Sequence, residues 1–483
     1  MQSPPWCHRM ELLNRLRRFL PSHRVLTDKA TLLTYENDAY PVAKRSPLAV
    51  VFPETTDEVS RIVKACQDLQ VPFLARGSGT GLSGGATAAE EGYLMIVLAG
   101  MRSLLSLDAE DRQACVQPGL MNLRLSEAAA PHGLHFAPDP SSQAASTLGG
   151  NLSENAGGPH CFRYGMMTDH VLGMTLVTAD GEVVEIVQGE GPDLTGLITG
   201  HEGTFGIVTE ILLRLTPSPE AIQTWLTSFS SMGAACRCVS KIVSSGLSPS
   251  ALEILDRLTI QAVEASTYAA GYPLEAEAVL LVEWEGSEES LAFEAPAIDE
   301  MLASEGPLSL ESTRDPVQRL RLWKGRKGAF GAMGRVAPDI FVLDGVVPRS
   351  RLEDALTRIS EICEQHEITL ANVFHAGDGN LHPNLAFDGR DPEQTERAVR
   401  AGIEILDHCV ELGGSISGEH GVGLEKLDCM RTMFTEDTLA LFTDIKRAFD
   451  PAHLCNPGKL LPTGGSCGEG ASARNPGPLE EQA

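Results

Sequence analysis

The chain has 483 residues, is 42% hydrophobic and 21% charged, and carries a formal charge of −27. That length is too great for one hydrophobic core, and it predicts at least two domains in an ordinary globular protein. The acidic excess argues against nucleic acid and anionic lipid surfaces as partners, since both need clustered Lys and Arg. It leaves room for a local basic pocket that takes a small anion.

Eleven cysteines are scattered without the spacing of a zinc or iron–sulfur site, and the closest pair is Cys236 and Cys238. In so long a chain they read as reduced thiols, which predicts a cytoplasmic location, either free or peripheral to the inner face of a membrane. No apolar run approaches the roughly 18 residues that span a bilayer. The N-terminus lacks a charged-then-apolar export pattern.

Residues 9–20 place apolar side chains at helical spacing up to Pro21, so 1–46 reads as an N-terminal helical segment. Residues 47–53 read as a strand, Thr55 or Thr56 as the cap of a helix running to about Leu69, and VPFLARG as the next strand. This is a βαβ-like unit. Its second strand runs into Arg76-Gly-Ser-Gly-Thr-Gly-Leu-Ser-Gly-Gly85, where glycines let backbone N–H groups turn into one concavity and let a phosphate approach. A strand follows, not a helix, so the loop is neither a Walker nor a Rossmann turn. Two more glycine-rich blocks, residues 147–158 and 200–209, follow Pro138-Asp-Pro-Ser-Ser142. Three such blocks predict a long ligand wrapped by several loops, and a dinucleotide fits better than one phosphate.

Thr216-Pro-Ser-Pro219 reads as a domain boundary. Beyond it, strands and helices alternate: TWLTSFSS, a helix over 233–245, ALEILD and AVLLVEWEG. The acidic stretch 283–312 is expected to be a solvated helical surface. Residues 322–330, LWKGRKGAF, stand out as basic, either as a solvated helix face or as an anion site.

Residues 371–384, ANVFHAGDGNLHPN, carry the strongest local chemistry. Asp378-Gly379 predicts a two-residue hairpin turn. Centred there, it sets His375 opposite His382, with Cβ atoms about 4.5–5.5 Å apart. The pair then either binds one metal ion or only packs. Residues 393–412 read as an amphipathic helix ending at Gly413-Gly414, and SISGEHGVG follows. A glycine-flanked turn can aim both Glu419 and His420 inward. Residues 435–449 read as a helix, and 463–483 as a disordered tail rich in Gly, Ser, Pro and Glu.

RGSGTGLSGG, PDPSS, GGNLSENAGG and EGTFGIVTE, in this order, resemble the FAD-binding domain of the vanillyl-alcohol oxidase/p-cresol methylhydroxylase (PCMH) flavoproteins. HAGDGNLHPN, SGEHGVG and NPGK narrow the resemblance to the FAD-linked 2-hydroxyacid dehydrogenases that act on glycolate and D-lactate. The resemblance covers about residues 30–462. It implies an α+β fold, with a two-part PCMH-type FAD-binding domain over 47–218. Residues 219–462 would form an α+β substrate- and metal-binding cap, an antiparallel sheet with helices on one side, plus a C-terminal helical, flavin-contacting segment.

The resemblance puts the FAD pyrophosphate on the loop of Arg76, Gly77, Ser78, Gly79, Thr80, Gly81, Leu82, Ser83 and Gly84. Around the flavin it puts Pro138, Asp139, Ser141, Ser142, Gly149, Gly150, Asn151, Ser153, Asn155, Gly157, Glu202, Gly206, Ile207, Val208 and Asn456. That loop has no His or Cys, so a non-covalent flavin is expected. His160 is expected to pack or to bond a backbone group, not to tether the flavin.

The resemblance also gives Arg326 to the substrate carboxylate, with Lys327 in support, a role that suits the planar guanidinium. Two imidazoles and a carboxylate suit zinc or manganese and leave positions open for a substrate. His375, His382 and Glu419 are therefore the expected metal ligands, His420 the base, and Asn384 a hydrogen-bond partner of the substrate. Phe330 and Val342 favour a small 2-hydroxyacid such as glycolate or D-lactate, with a D-2-hydroxyglutarate-type enzyme as the alternative. Electrons would pass to an iron–sulfur subunit, a second flavin-binding subunit or a quinone, not to NAD. Two further readings are a non-catalytic FAD-binding subunit of a glycolate dehydrogenase complex and a flavin-free metal hydrolase.

Overall fold

The computed structural model describes residues 5–462. The tail expected to be disordered, 463–483, lies outside the described residues. The N-terminal helix is Pro5–Leu16 and buries Leu12, Leu13 and Leu16 against the helix Thr56–Leu69. That second helix starts where the Thr55 side chain accepts the Glu58 N–H, and it ends at Gln70, whose φ of 52° is left-handed. Its buried positions Val59, Ile62, Val63, Cys66 and Leu69 repeat at helical spacing.

The first sheet runs in the order Val25–Leu26, Ala49–Val51, Leu94–Val97, Phe73–Arg76. Strands 49–51 and 73–76 are both parallel to 94–97. The helix therefore crosses over, and the chain must return through the glycine-rich loop after Arg76 to lay the third strand between the first two. This sends that loop out from the end of the sheet. The second sheet is five antiparallel strands in the order Leu104–Asp108, Gln113–Val116, Gly206–Arg214, Val171–Thr178, Val183–Val187. The third glycine-rich block enters it at Gly206, whose φ is +145° and where a Cβ would lie 2.6 Å from the Val177 carbonyl oxygen.

The third sheet has nine strands, with Ala221–Phe229, Ala278–Gly286, Ala251–Asp256 and Thr369–His375 at its centre. Helices cover both of its faces, not one as expected. Leu252, Ile254, Leu280 and Val282 share a core with the helices Met232–Ser244, Glu288–Ser304, Leu352–Gln365 and Pro392–Glu411. The alternate residues Ala251, Leu255, Val279 and Leu281 share another with Arg257–Glu264 and Pro316–Lys327. Strands buried on both faces read as continuous apolar runs, which is why AVLLV shows no alternation. The same burial corrects the reading of 283–312. Glu283 and Glu285 lie inside this sheet and are buried, and the exposed acidic face begins only with the helix Glu288–Ser304. Among the described residues, no helix is long and apolar enough to cross a membrane.

Candidate active site

The hairpin turn is wider than predicted. His375 pairs with Asn380, and the same register continues through Asn372 with Pro383 and Ala371 with Asn384. Residues 376–379 form the turn, and only Gly379 has positive φ, at +77°. A two-residue type I′ turn needs positive φ at both central residues, and Asp378 does not adopt it. His382 is thus a diagonal neighbour of His375 on the same face, not its direct opposite. The imidazoles still converge, with ring centroids 5.1 Å apart and planes at 88°.

Both rings turn Nε2 toward one oxygen of Glu419, at 3.2 Å for His375 and 3.4 Å for His382. The three ligating atoms all lie within 4.8 Å of one another. The second Glu419 oxygen accepts the Gly157 N–H at 3.2 Å, so the middle glycine-rich block touches this carboxylate directly. Each imidazole is oriented from behind. His382 Nδ1 donates to the Leu343 carbonyl at 3.1 Å, and His375 Nδ1 lies 2.7 Å from Glu253. Burial opposes a charge on His375, but Glu253 and Glu419 outweigh it and push its pKa up to about 10. A divalent cation would take the place of this proton in the same negative potential.

His420 stacks on His382 with centroids 4.9 Å apart and planes 7° from parallel. Its Nδ1 is buried and has no hydrogen-bond partner. Burial, with the nearby His382 and Lys426, holds it down to about 4, so the ring is neutral at neutral pH. Asp344, which sequence reasoning missed, shapes this turn. Its buried carboxylate accepts the N–H of Gly418, Glu419 and His420 at 2.9, 3.0 and 2.8 Å, with the Ser417 hydroxyl at 2.8 Å and the Asn380 amide at 2.9 Å. Lys426 approaches it at 3.3 Å. Asp344, His382 and His420 also lie within metal-binding distance, but the Asp344 oxygens are taken by these donors. The set His375, His382 and Glu419 therefore fits a metal better.

Arg326 is buried behind His375 and is paired within the protein to Glu253. Arg326 Nε and Nη2 approach one Glu253 oxygen at 2.6 and 2.5 Å, which leaves Nη1 outside the pair. Lys327 reaches Asp139 at 2.7 Å. Asn384 donates to the His382 carbonyl at 2.8 Å, and its own oxygen is buried without a partner.

His160 neither merely packs nor bonds its side chain to the backbone, as had been expected. Its two ring nitrogens meet Asp139 at 2.8 Å and Glu283 at 3.1 Å.

The three glycine-rich blocks meet at one cavity of about 60 Å³, lined by Arg76, Gly77 and Gly85, by Gly149, Gly150, Ser153 and Glu154, and by Glu202 and Gly203. Glycine is required on its walls. A Cβ at Gly149 would lie 2.5 Å from the Pro118 ring and 3.0 Å from its carbonyl oxygen. Several expected flavin contacts have other partners. The Arg76 guanidinium folds back onto the carbonyls of Ala86 and Asn37, at 3.0 and 2.9 Å, and so braces its own loop. The Ser83 hydroxyl donates to the His420 carbonyl at 2.8 Å. Glu202 accepts the N–H of Val422 and Gly423, both at 2.6 Å. Asn456 donates to the carbonyls of Gly85 and Glu202 at 3.1 and 2.8 Å. Ile207 and Val208 point into separate cores, which leaves only their backbone for a ligand.

Residues 47–186 match the FAD binding domain family, and residues 218–460 match the C-terminal domain of FAD linked oxidases. The glycolate oxidase subunit GlcD of Escherichia coli K12 is 42% identical over 96% of this chain and 94% of its own length. The chain belongs to the FAD-linked oxidases.

Among other relatives, GlcD of Bacillus subtilis is 37% identical over 89% of this chain and 92% of its own. A D-lactate dehydrogenase of Archaeoglobus fulgidus is 33% identical over 88% and 96%. The solved structure of p-cresol methylhydroxylase with substrate bound superposes with a TM-score of 0.81 at 18% identity, covering 94% of this chain and 97% of that one, and shares the fold. In this FAD-linked oxidase, three glycine-rich loops converge on one cavity whose about 60 Å³ is only part of the space a dinucleotide fills. The loops also reach the imidazoles, through Gly157 on Glu419 and Ser83 on His420.

Two positioning residues were missed for one reason. Glu253 and Asp344 look in the sequence like a polar residue in a strand and an Asp-Gly turn. The available signal was a charged residue at an inward position of an apolar strand, ALEILD, which must find partners when buried.

Proposed function

We propose that the chain oxidises a small 2-hydroxyacid, glycolate or D-lactate, to the 2-oxoacid with non-covalent FAD as the primary acceptor. The observation that carries this reading is the neutral, unpartnered His420 stacked beside two imidazoles that share Glu419. That arrangement supplies a base next to a set of metal ligands, on loops that also reach the dinucleotide cavity. The relatives named for glycolate and D-lactate support the substrate class.

Bound FAD supplies the hydride acceptor. A zinc or manganese ion held by His375, His382 and Glu419 would lower the pKa of the substrate hydroxyl. His420, whose buried Nδ1 has no hydrogen-bond partner, takes the hydroxyl proton. Arg326, braced by Glu253, offers Nη1 to the substrate carboxylate. Asn384 lies on the same sheet face as both imidazoles and offers its unpartnered oxygen. Val342 pairs across the ladder with Asn384 and is buried, so this neighbour offers no charge to a second substrate carboxylate. That favours a monocarboxylic hydroxyacid over 2-hydroxyglutarate. Phe330 is half-exposed on the outer surface. The name of the 42% relative, a subunit of glycolate oxidase, supports passage of electrons to an iron–sulfur or second flavin-binding subunit, with a quinone as the other acceptor.

The test is anaerobic bleaching of the flavin by a panel of 2-hydroxyacids of both hands. At least one of glycolate and D-lactate should bleach it, and L-lactate and 2-hydroxyglutarate should not. Bleaching by none of them would leave the non-catalytic subunit reading in its place.

A further inference from the structure

Glu253 belongs to none of the motifs, yet it touches two parts of the site. It lies on the strand Ala251–Asp256, directly across the ladder from His375 on Thr369–His375, so strand register fixes the approach. It is fully buried. One oxygen is 2.7 Å from His375 Nδ1, and the other is 2.6 Å from Arg326 Nε. Arg326 Nη2 also comes within 3.4 Å of His375 Nδ1, so the three groups form one closed cluster. Arg326 arrives from the helix Pro316–Lys327, which packs on the opposite side of the same core.

We infer that Glu253 is a positioning residue that serves both halves of the site: it holds His375 with Nε2 turned toward Glu419, and it anchors the guanidinium of Arg326 with Nη1 left for the substrate. This inference rests on the proposed metal and carboxylate roles of those two side chains. The physical basis is the count of acceptors. A carboxylate accepts from both donors at once, and its proton-acceptor role on Nδ1 fixes which ring nitrogen carries the lone pair for a metal. Because one side chain serves both, misplacing it should weaken metal binding and substrate binding together, although it contacts neither.

The test uses the full-length flavoprotein, stripped of metal, with Zn²⁺ affinity read by competition against a chromogenic chelator. Removing Glu253 alone would strand a buried guanidinium, so the background is Arg326→Met, which leaves Glu253 on His375. Arg326→Met should bind Zn²⁺ at least as tightly as wild type does, since it removes a positive charge beside His375. Glu253→Leu combined with Arg326→Met should bind it about 10–100-fold more weakly. Glu253→Gln combined with Arg326→Met should recover most of the affinity, because the amide oxygen still accepts from Nδ1. Flavin content and thermal midpoint should be alike in the two double variants.

For the second half, oxalate serves as the probe, read from the flavin absorbance shift. Glu253→Gln with Arg326 retained should weaken oxalate about tenfold or more, since one amide oxygen cannot serve both donors. Zn²⁺ binding in the Leu double variant equal to that of Arg326→Met overturns the inference. So does oxalate binding unchanged by Glu253→Gln. If His375→Ala binds Zn²⁺ as wild type does, the metal reading itself fails and takes the inference with it, which separates the two failures.

Discussion

Two clusters of histidine and carboxylate sit along the seam between the flavin half and the cap, and they use the same residue types differently. Around His160, each anion has a protein donor. Its ring nitrogens meet Asp139 and Glu283, Lys327 joins Asp139 at 2.7 Å, and Arg319 joins Glu283 at 3.0 Å. The Trp323 indole and the Thr224 hydroxyl take the other Glu283 oxygen at 2.6 and 2.5 Å, and the Tyr164 hydroxyl donates to Glu285 at 2.7 Å. Besides the histidine, two cations face three carboxylates there, Asp139, Glu283 and Glu285. Around His375 and His382, three carboxylates, Glu253, Glu419 and Asp344, likewise face two such cations, Arg326 and Lys426. In each cluster a proton on the histidine meets the remaining charge. The difference lies in the free atoms. Both His160 nitrogens and both Glu283 oxygens are taken by fixed partners, and such a saturated cluster fastens one part of the chain to another. The open cluster turns two imidazole Nε2 atoms to one Glu419 oxygen beside the unpartnered His420 Nδ1, an arrangement suited to a cation and a substrate.

The largest effect should fall on the open cluster. His420→Ala should leave flavin bound but slow its reduction by glycolate or D-lactate by about 10²–10⁴-fold, measured by anaerobic stopped flow. The same change at His160 should slow it far less, and equal losses would erase the distinction between the clusters.

Next is Asp344→Ala, which strands the buried Lys426 and three backbone N–H groups of the 418–420 turn. It should cost about 3–5 kcal/mol in chemical denaturation and also lower activity.

His160→Phe should cost about 1–3 kcal/mol, because two buried carboxylates lose a donor. This cost should depend on pH. Burial lowers the His160 pKa, but Asp139 and Glu283 outweigh it and raise it well above the ordinary value. A raised folded-state pKa means the stabilisation is fully present below about pH 6.5 and is lost as pH rises through the folded value. The gap in thermal midpoint between wild type and His160→Phe should therefore be wider at pH 6 than at alkaline pH.

Smallest is Thr55→Ala, which removes a helix cap remote from both clusters. It should cost about 1 kcal/mol and leave flavin reduction untouched.

The sequence showed the open cluster better than the saturated one. His375, His382, Glu419 and His420 lie in two short motifs, and local glycines revealed the turns that aim them. The hairpin register was misjudged because Asp-Gly signals a two-residue turn by itself, while pairing of 369–372 with 383–386 holds the strands two residues further apart. The His160 cluster draws on residues 139, 160, 283, 319 and 327, and only the packing of three elements brings them together. Glu283 looked like surface because its neighbours in sequence are acidic, yet it lies in a strand covered on both faces. Helices on both faces of the cap sheet were hidden for the same reason, since continuous apolar runs do not say how many layers cover them. Glu253 and Asp344 were individually visible, but their partners are 122 and about 36–82 residues away in sequence.

The most direct test of the open cluster is anaerobic flavin bleaching by glycolate and D-lactate before and after verified metal removal. The prediction is rapid bleaching by at least one of them in the metal-loaded protein, loss of that bleaching after chelation with the flavin still bound, and recovery on adding zinc or manganese. Bleaching at an undiminished rate in the metal-free protein would contradict the account.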